Sequence, residues 1–146
     1  MKYSFQIHRE GKGYWAECLE LMGCKTQANS IRQLEKNMKE ALNLYLDEPE
    51  GSKVLYSFPK KDLYRRSSNI IQVPVDTGVA FAFLLRQIRL RHGMTQKEAA
   101  KLIFNSDNIY SYQRLESSKT ANPEFKTLVR IKGIFPEFDL DEILSA

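Results

Sequence analysis

The sequence has few of the residues from which metal sites, disulfide frameworks and membrane spans are built. It contains two cysteines and two histidines in 146 residues, whereas a structural zinc site needs about four Cys or His ligands. No apolar run approaches the roughly 18 residues that cross a bilayer, and no signal-peptide core follows Met1. We therefore expect a cytoplasmic protein with no metal or other cofactor and no membrane partner, whose Cys18 and Cys24 are reduced, packed thiols.

The constellations that mark nucleophilic catalysis are also missing. His8 lies in a strand-like pattern and His92 at a predicted helix end, and neither has an Asp or Ser at a spacing that suggests a catalytic triad. Both histidines are interpreted as structural.

The charge that is present is unevenly distributed. The chain carries a net charge of +4, but residues 77–132 hold ten Lys or Arg against four acids, and residues 133–146 hold four acids and no base. A basic segment of this kind suits a phosphate-binding face, although a solvated surface would have the same composition. Charge alone leaves both interpretations open.

The hydrophobic pattern predicts two small domains, residues 1–76 and residues 77–146, and an α+β fold. The stretches Asp47–Ser52 and Lys60–Asn69 are rich in turn-forming and charged residues and read as connecting segments. Each half shows its own compact pattern, and no internal repeat relates the two.

The first domain is predicted to be a small αβ unit. Alternation over Lys2–His8, a Gly11–Gly13 turn and a second run over Tyr14–Leu19 indicate a hairpin. A short third strand is expected over Cys24–Thr26. A helix capped by Asn29 or Ser30 should then bury its apolar positions, and two later strands are expected over 53–58 and 70–75. The apolar helix positions are Ile31, Leu34, Met38, Ala41, Leu42 and Tyr45.

Three segments of this domain resemble the HicB family of antitoxins. They are Gly13–Cys18, Gly23–Gln27 and the helix end Lys39–Leu46. The resemblance implies a partial RNase H-like fold that binds and masks a HicA-type toxin, a small mRNA-cleaving protein. True RNase H enzymes use clustered carboxylates and two metal ions. The first strand here offers no acid, so we expect no enzymatic activity and no catalytic residue.

An RNA-cleaving toxin must have a basic RNA-binding surface, and carboxylates that stand in for RNA phosphates could cover it. Glu17 and Glu20, near an exposed hairpin, are the candidate carboxylates for toxin binding, and Trp15 is the candidate aromatic anchor. A tryptophan in a strand is also commonly part of the core, and that alternative stays open for Trp15.

The second domain is predicted to be five helices. The first runs over Thr77–His92 with a core stripe of Phe81, Leu84, Leu85 and Ile88, and Gly93 ends it. Thr95 caps the second helix, and Glu98 completes a capping box. A third helix over Asn108–Glu116 should turn Tyr112 and Leu115 inward. A fourth runs over Glu124–Ile134, and Leu140, Ile143 and Leu144 fit a short fifth.

This arrangement reads as a helix-turn-helix domain, and Met94–Gln96, Arg114–Glu116 and Asn122–Pro123 resemble the XRE (Cro/C1-type) phage-repressor family. In such domains the third helix enters the major groove and the start of the second contacts phosphate. Gln96 is the phosphate candidate and Arg114 the guanine-reading candidate, unless Arg114 pairs with Glu116 or is merely solvated. The predicted DNA-binding residues are Thr95, Gln96, Lys97, Tyr110, Ser111, Gln113 and Arg114.

Together the two resemblances predict an antitoxin of a HicAB-like system that binds its toxin and represses its own operon at operator DNA. A single helix-turn-helix buries little DNA surface, so a homodimer or higher oligomer is expected. Its interface could involve Phe83 and Leu90 or, alternatively, Ile143 and Leu144. The competing hypothesis is a stand-alone transcriptional regulator whose first domain senses a small ligand. A neighbouring reading frame for a small basic protein would favour the antitoxin.

Overall fold

The computed structural model describes residues 1–60 and 69–145. Within those ranges the chain forms four strands and six helices, an α+β composition. It divides into two compact units. The first contains Met1–Leu46 and the described part of Tyr56–Asp76, and the second contains Asp47–Leu55 and Thr77–Leu144. Most of the predicted connecting segment Lys60–Asn69 lies outside the described residues.

The first unit is built on a four-stranded antiparallel sheet. Its strands are β1 (Lys2–Glu10), β2 (Gly13–Cys18), β3 (Lys25–Ala28) and β4 (Ile70–Pro74), in the spatial order β3-β2-β1-β4. Gly11 has a φ of +56° in the turn between β1 and β2, a conformation that costs glycine little. Because β1 and β2 pair in antiparallel register, the predicted hairpin is confirmed. Strand β4 lies at an edge of the sheet, where Pro74 is tolerated.

Helix α1 (Ile31–Leu46) packs on the sheet with one apolar face. Leu34, Met38, Leu42 and Leu46 are buried, and the Ser30 hydroxyl accepts the Gln33 N–H at 3.2 Å as a cap. The sheet buries the alternate positions that include Tyr3, Phe5, Ala16, Cys18 and Val73. Because side chains alternate along a strand, the other face of the sheet carries the intervening residues, which include Gln6, His8, Trp15 and Glu17.

The strand predicted over Lys53–Phe58 is wrong, since this stretch has no regular secondary structure. Its backbone carbonyls accept hydrogen bonds from side chains instead of from a neighbouring strand. Gln87 donates to the oxygen of Val54 at 2.9 Å, and the Tyr3 hydroxyl donates to the oxygen of Ser57 at 2.9 Å.

The second unit is helical, and the predicted glycine end of its first helix and the predicted capping box of its second helix are confirmed. Its helices are α2 (Thr77–Arg91), α3 (Gln96–Phe104), α4 (Tyr110–Leu115), α5 (Phe125–Ile134) and α6 (Leu140–Leu144). Gly93 has a φ of +66° after α2, and Thr95 and Glu98 form the reciprocal capping box at the start of α3. Tyr112 and Leu115 are buried on α4 as predicted.

Helix α2 is buried on every side rather than along one stripe. All residues from Ala80 to Arg89 are buried, including Phe83 at 0% exposure. Phe83 therefore cannot supply a free dimer surface, and Ile143, 3% exposed, cannot either. The expected contribution of these two residues to a dimer interface is therefore wrong, and of the four candidate residues Leu144, at 69% exposure, is the most exposed.

Among the described residues, no helix combines the length and the apolar character that a membrane crossing requires.

Candidate functional site

The open face of the sheet in the first unit carries a stacked aromatic pair. His8 on β1 lies directly opposite Trp15 on β2, and their ring centroids are 3.9 Å apart with an interplanar angle of 15°. Trp15 is half-buried. The tryptophan therefore stands on the sheet face away from Phe5 and Ala16, and not in the core beneath α1.

Glu17 completes this cluster. Its Oε1 atom lies 3.1 Å from Nε2 of His8, and the two side chains keep 42% and 31% of their surface exposed. Glu17 is also paired across the sheet with Lys25 of β3. We call His8, Trp15 and Glu17 the sheet-face cluster, which offers an accessible carboxylate beside an aromatic edge.

Glu20 does not belong to this cluster, and the expectation that it stands exposed near the hairpin is wrong. The residue is 9% exposed. Its Oε2 atom accepts the backbone N–H of Ser4 at 3.0 Å and lies 3.6 Å from the thiol of Cys18, while Oε1 accepts the N–H of Lys60 at 3.5 Å. A carboxylate with these bonds holds the fold together, because buried N–H groups need acceptors.

A groove of about 830 Å³ adjoins Trp15 at the end of the sheet. It runs between the β1–β2 turn, with Lys12, and the start of α1, with Asn29 and Ser30. The sequence alone does not reveal this groove. Its two walls, the β1–β2 turn and the start of α1, are far apart in the chain and come together only because β2 pairs with β3.

The predicted DNA-binding residues of the second unit divide into two groups. Lys97, Tyr110, Ser111 and Arg114 are exposed. Thr95 is exposed as well, but its hydroxyl accepts the Glu98 N–H at 3.2 Å, so its main role is to cap α3. Gln96 and Gln113 are half-buried, and the Gln113 amide donates to Gln96 Oε1 at 3.2 Å.

A buried ion pair fixes the two glutamines. Arg89 donates from Nε and Nη2 to the two carboxylate oxygens of Glu116, at 2.6 and 3.0 Å, and the side chains are 5% and 6% exposed. Tyr112 and Gln96 donate to the same carboxylate at 2.5 and 3.0 Å. The network thus ties α2, α3 and α4 together and orients Gln96 and Gln113.

Burial and the neighbouring Glu116 carboxylate act in the same direction on the pKa of Tyr112 and in opposite directions on the pKa of Arg89. Burial, and then the charge of Glu116, raise the pKa of the Tyr112 hydroxyl well above its usual range. Burial works to lower the pKa of Arg89, but its hydrogen bonds to Glu116, the charge of Glu116 and the contact with Tyr112 together outweigh that effect and raise the pKa. Arg89 therefore stays charged, and the phenol of Tyr112 stays protonated.

Arg114 is free of the pairing that was considered for it. Glu116 is bound by Arg89, and the Arg114 guanidinium lies 5.9 Å from the centre of the Tyr110 ring, one helical turn earlier. This distance is at the outer limit of a cation–π contact. Arg114 and Tyr110 are both exposed on α4.

Two further cations stand near Arg114. A groove of about 530 Å³ between α4 and α5 is lined by Arg114, Lys126 and Arg130, together with Tyr110 and Ser111. Arg130 also donates to the oxygen of Ile103 at 3.2 Å. Lys126 and Arg130 are not among the residues predicted from the sequence to bind DNA, although their spacing of four residues places them on one face of α5.

The cysteines behave as packed thiols. Cys18 and Cys24 are buried and free, and burial raises the pKa of the first to about 12 and of the second to about 11. Within residues 1–60 and 69–145, no group of three or more His, Cys, Asp or Glu is arranged to hold a metal ion.

The structure therefore defines an α+β protein with two distinct surfaces, one aromatic and acidic on a sheet and one cationic on helices. No protein-family model matches the chain. Over 48 residues, however, the chain is 40% identical to a UPF0150 protein from Archaeoglobus fulgidus, a match that spans 32% of this chain and 70% of that protein. The chain belongs to the UPF0150 family.

Proposed function

We propose that this protein is the antitoxin of a HicAB-like toxin–antitoxin system, which binds an mRNA-cleaving HicA-type toxin and represses its own operon. The UPF0150 family is HicB-like. The observation that carries the proposal is the combination, in one chain, of a match to a UPF0150 protein, a unit built on an antiparallel sheet, and a helical unit with cationic side chains on α3 and α4. Neither role requires catalysis.

The sheet-face cluster is the proposed toxin contact. A protein that cleaves RNA needs a basic surface, and the accessible carboxylate of Glu17 can occupy the place of an RNA phosphate there. Trp15 stands beside it as the aromatic anchor that interfaces favour. Glu20 is left out of the contact because the backbone already uses its carboxylate.

The α3–α4 pair is the proposed helix-turn-helix. In this proposal Gln96, at the amino end of α3, contacts a phosphate and Arg114 contacts a guanine edge. The network around Glu116 holds both helices in register, and the groove with Lys126 and Arg130 extends the cationic surface beyond α4. Two copies would be needed to reach successive major grooves, so the DNA-bound form is a dimer or a higher oligomer.

DNA titration and footprinting on the region upstream of the reading frame test the second role. Arg114→Ala should weaken operator binding by about 1–3 kcal/mol per half-site and relax the preference at one base. Lys97→Ala is the matched control, because loss of a phosphate contact weakens all sequences alike and flattens the salt dependence. A footprint without twofold symmetry would contradict the dimer.

Toxin binding is tested with the full-length chain and a catalytically inactive form of the small basic protein expected from the neighbouring reading frame. Trp15→Ala and Glu17→Lys should weaken the complex, while Glu35→Lys makes the same charge change at an exposed residue of α1, away from the sheet-face cluster. Equal affinities for all three variants would remove the cluster from the interface.

One observation favours the alternative of a ligand-sensing regulator. The groove beside Trp15 has a volume of about 830 Å³, which is large enough for a small molecule. If the chain binds DNA, has no partner protein and gains thermal stability with a metabolite only when Trp15 is intact, the sensor is the correct function.

A further inference from the structure

The segment Asp47–Leu55, which we call the acidic strap, is fastened to the helical unit. Arg86 donates to the backbone oxygen of Glu48 at 3.0 Å, and Gln87 donates to that of Val54 at 2.9 Å. The Ser118 hydroxyl donates to Asp47 Oδ1 at 2.7 Å. Since Arg86 and Gln87 are themselves 3% and 0% exposed, the strap is held at both ends by groups with fixed positions.

The acids of the strap lie beside the residues proposed to meet DNA phosphate. A hollow of about 110 Å³ is lined by Asp47, Glu48 and Glu50 on one side and by Gln96 and Gln113 on the other. Asp47 and Glu50 are exposed to solvent. A phosphate that approaches the amino end of α3 therefore also approaches carboxylates of the strap.

We propose that the acidic strap restrains DNA binding by electrostatic repulsion and so sets the affinity of the helical unit for any duplex. This inference rests on the proposed DNA-binding role of α3 and α4. Two like charges about 10 Å apart in water repel enough to change an equilibrium constant about twofold, and salt screens the effect at about that distance. The repulsion acts on phosphates, so it is the same for every base sequence.

The negative charges of the acidic strap also partly offset the excess of positive charge in residues 77–132. The carboxylates of the strap oppose the non-specific part of binding without touching the contacts of Arg114. Because the repulsion lowers the affinity for operator and for background duplex by the same factor, the ratio of the two affinities is still set by base contacts, while the occupancy of background DNA falls.

The test is a titration of the full-length protein with a labelled duplex of arbitrary sequence, at low and at moderate salt. Glu50→Gln should tighten binding about twofold at low salt, and Asp47→Asn/Glu50→Gln about fourfold, with smaller gains at moderate salt. Asn at position 47 keeps an oxygen for Ser118. The matched control is Asp141→Asn on α6, which makes the same charge change as Glu50→Gln at an exposed residue that does not line the hollow.

If Glu50→Gln raises the affinity for the duplex more than Asp141→Asn does, and if the difference shrinks as salt is added, the result supports the proposed role of the acidic strap. If the two variants bind the duplex with equal affinity and wild-type binding is measurable, the proposed role of the acidic strap is wrong, and the DNA-binding proposal is unaffected. If neither the wild type nor the double variant binds duplex DNA at low salt, both proposals are wrong.

Discussion

Replacing Glu116 by alanine should strongly destabilise the helical unit. Its carboxylate accepts two hydrogen bonds from the Arg89 guanidinium, at 2.6 and 3.0 Å, and one each from the Tyr112 hydroxyl and the Gln96 amide. The alanine variant leaves a guanidinium that is 5% exposed without its counter-charge. Removing one partner of a buried pair costs about 3–5 kcal/mol, a large part of the roughly 5–15 kcal/mol that stabilises a whole domain.

Urea unfolding followed by far-ultraviolet circular dichroism measures this loss. The midpoint should fall at an unchanged slope, because the same surface is exposed on unfolding. Glu124→Ala is the matched control, since Glu124 is exposed and makes no side-chain capping bond to α5, and it should stay within about 0.5 kcal/mol of the wild type. A loss below about 1 kcal/mol in Glu116→Ala would refute the view that this network holds α2, α3 and α4 together.

Three other perturbations follow from local geometry. Gly78→Ala should destabilise by about 1–3 kcal/mol in thermal unfolding, because the new Cβ would lie 2.8 Å from a backbone oxygen, whereas Gly133→Ala meets no atom within 4 Å and should stabilise by about 0.5–1 kcal/mol. The two cysteines should resist a thiol reagent at pH 8 until the protein unfolds, since burial raises their pKa to about 12 and 11 and the thiolate is the reactive form; rapid labelling of native protein would contradict this. The hydrogen bond with His92 lowers the pKa of Glu137 below its ordinary value, so this contribution to stability is present above the unfolded-state pKa of about 4.3 and is lost as the pH falls through the lower folded value. Glu137→Gln should accordingly flatten the fall in melting temperature on acidification, and an unchanged acid profile would show that the pair contributes nothing.

Features that depend on neighbouring residues in the chain could be predicted from the sequence. The capping box of Thr95 and Glu98 and the left-handed Gly93 use contacts within four residues. The β1–β2 hairpin and the inward positions Tyr112 and Leu115 follow from simple periodicity. These signals are local because hydrogen-bond spacing and side-chain direction are set by the backbone itself.

Features decided by distant contacts could not be predicted. Glu20 is buried because the N–H of Ser4, sixteen residues away, needs an acceptor. Phe83 lies off the apolar stripe of α2 and is nonetheless 0% exposed, which a helical pattern alone cannot indicate. The stretch Lys53–Phe58 has apolar residues typical of a strand, but side chains of Tyr3 and Gln87 satisfy its carbonyls instead of a paired strand.

The candidate sites show the same division. The residue types of Trp15, Glu17 and Arg114 suggested binding, and all three have accessible side chains. The contacts of these residues could not be predicted from the sequence. His8 stacks on Trp15 only because of the register between β1 and β2, and Arg114 does not pair with Glu116 because Arg89 already binds that carboxylate.

Growth of cells that co-express the neighbouring small basic protein with full-length variants of this chain tests the central proposal most directly. Wild type and Arg114→Ala should both restore growth, because the proposed toxin contact lies on the sheet, whereas Trp15→Ala combined with Glu17→Lys should leave growth arrested although the variant is folded and expressed. Arrest that persists with soluble wild-type protein, or rescue that is equal for the sheet-face variant and the wild type, would contradict the account.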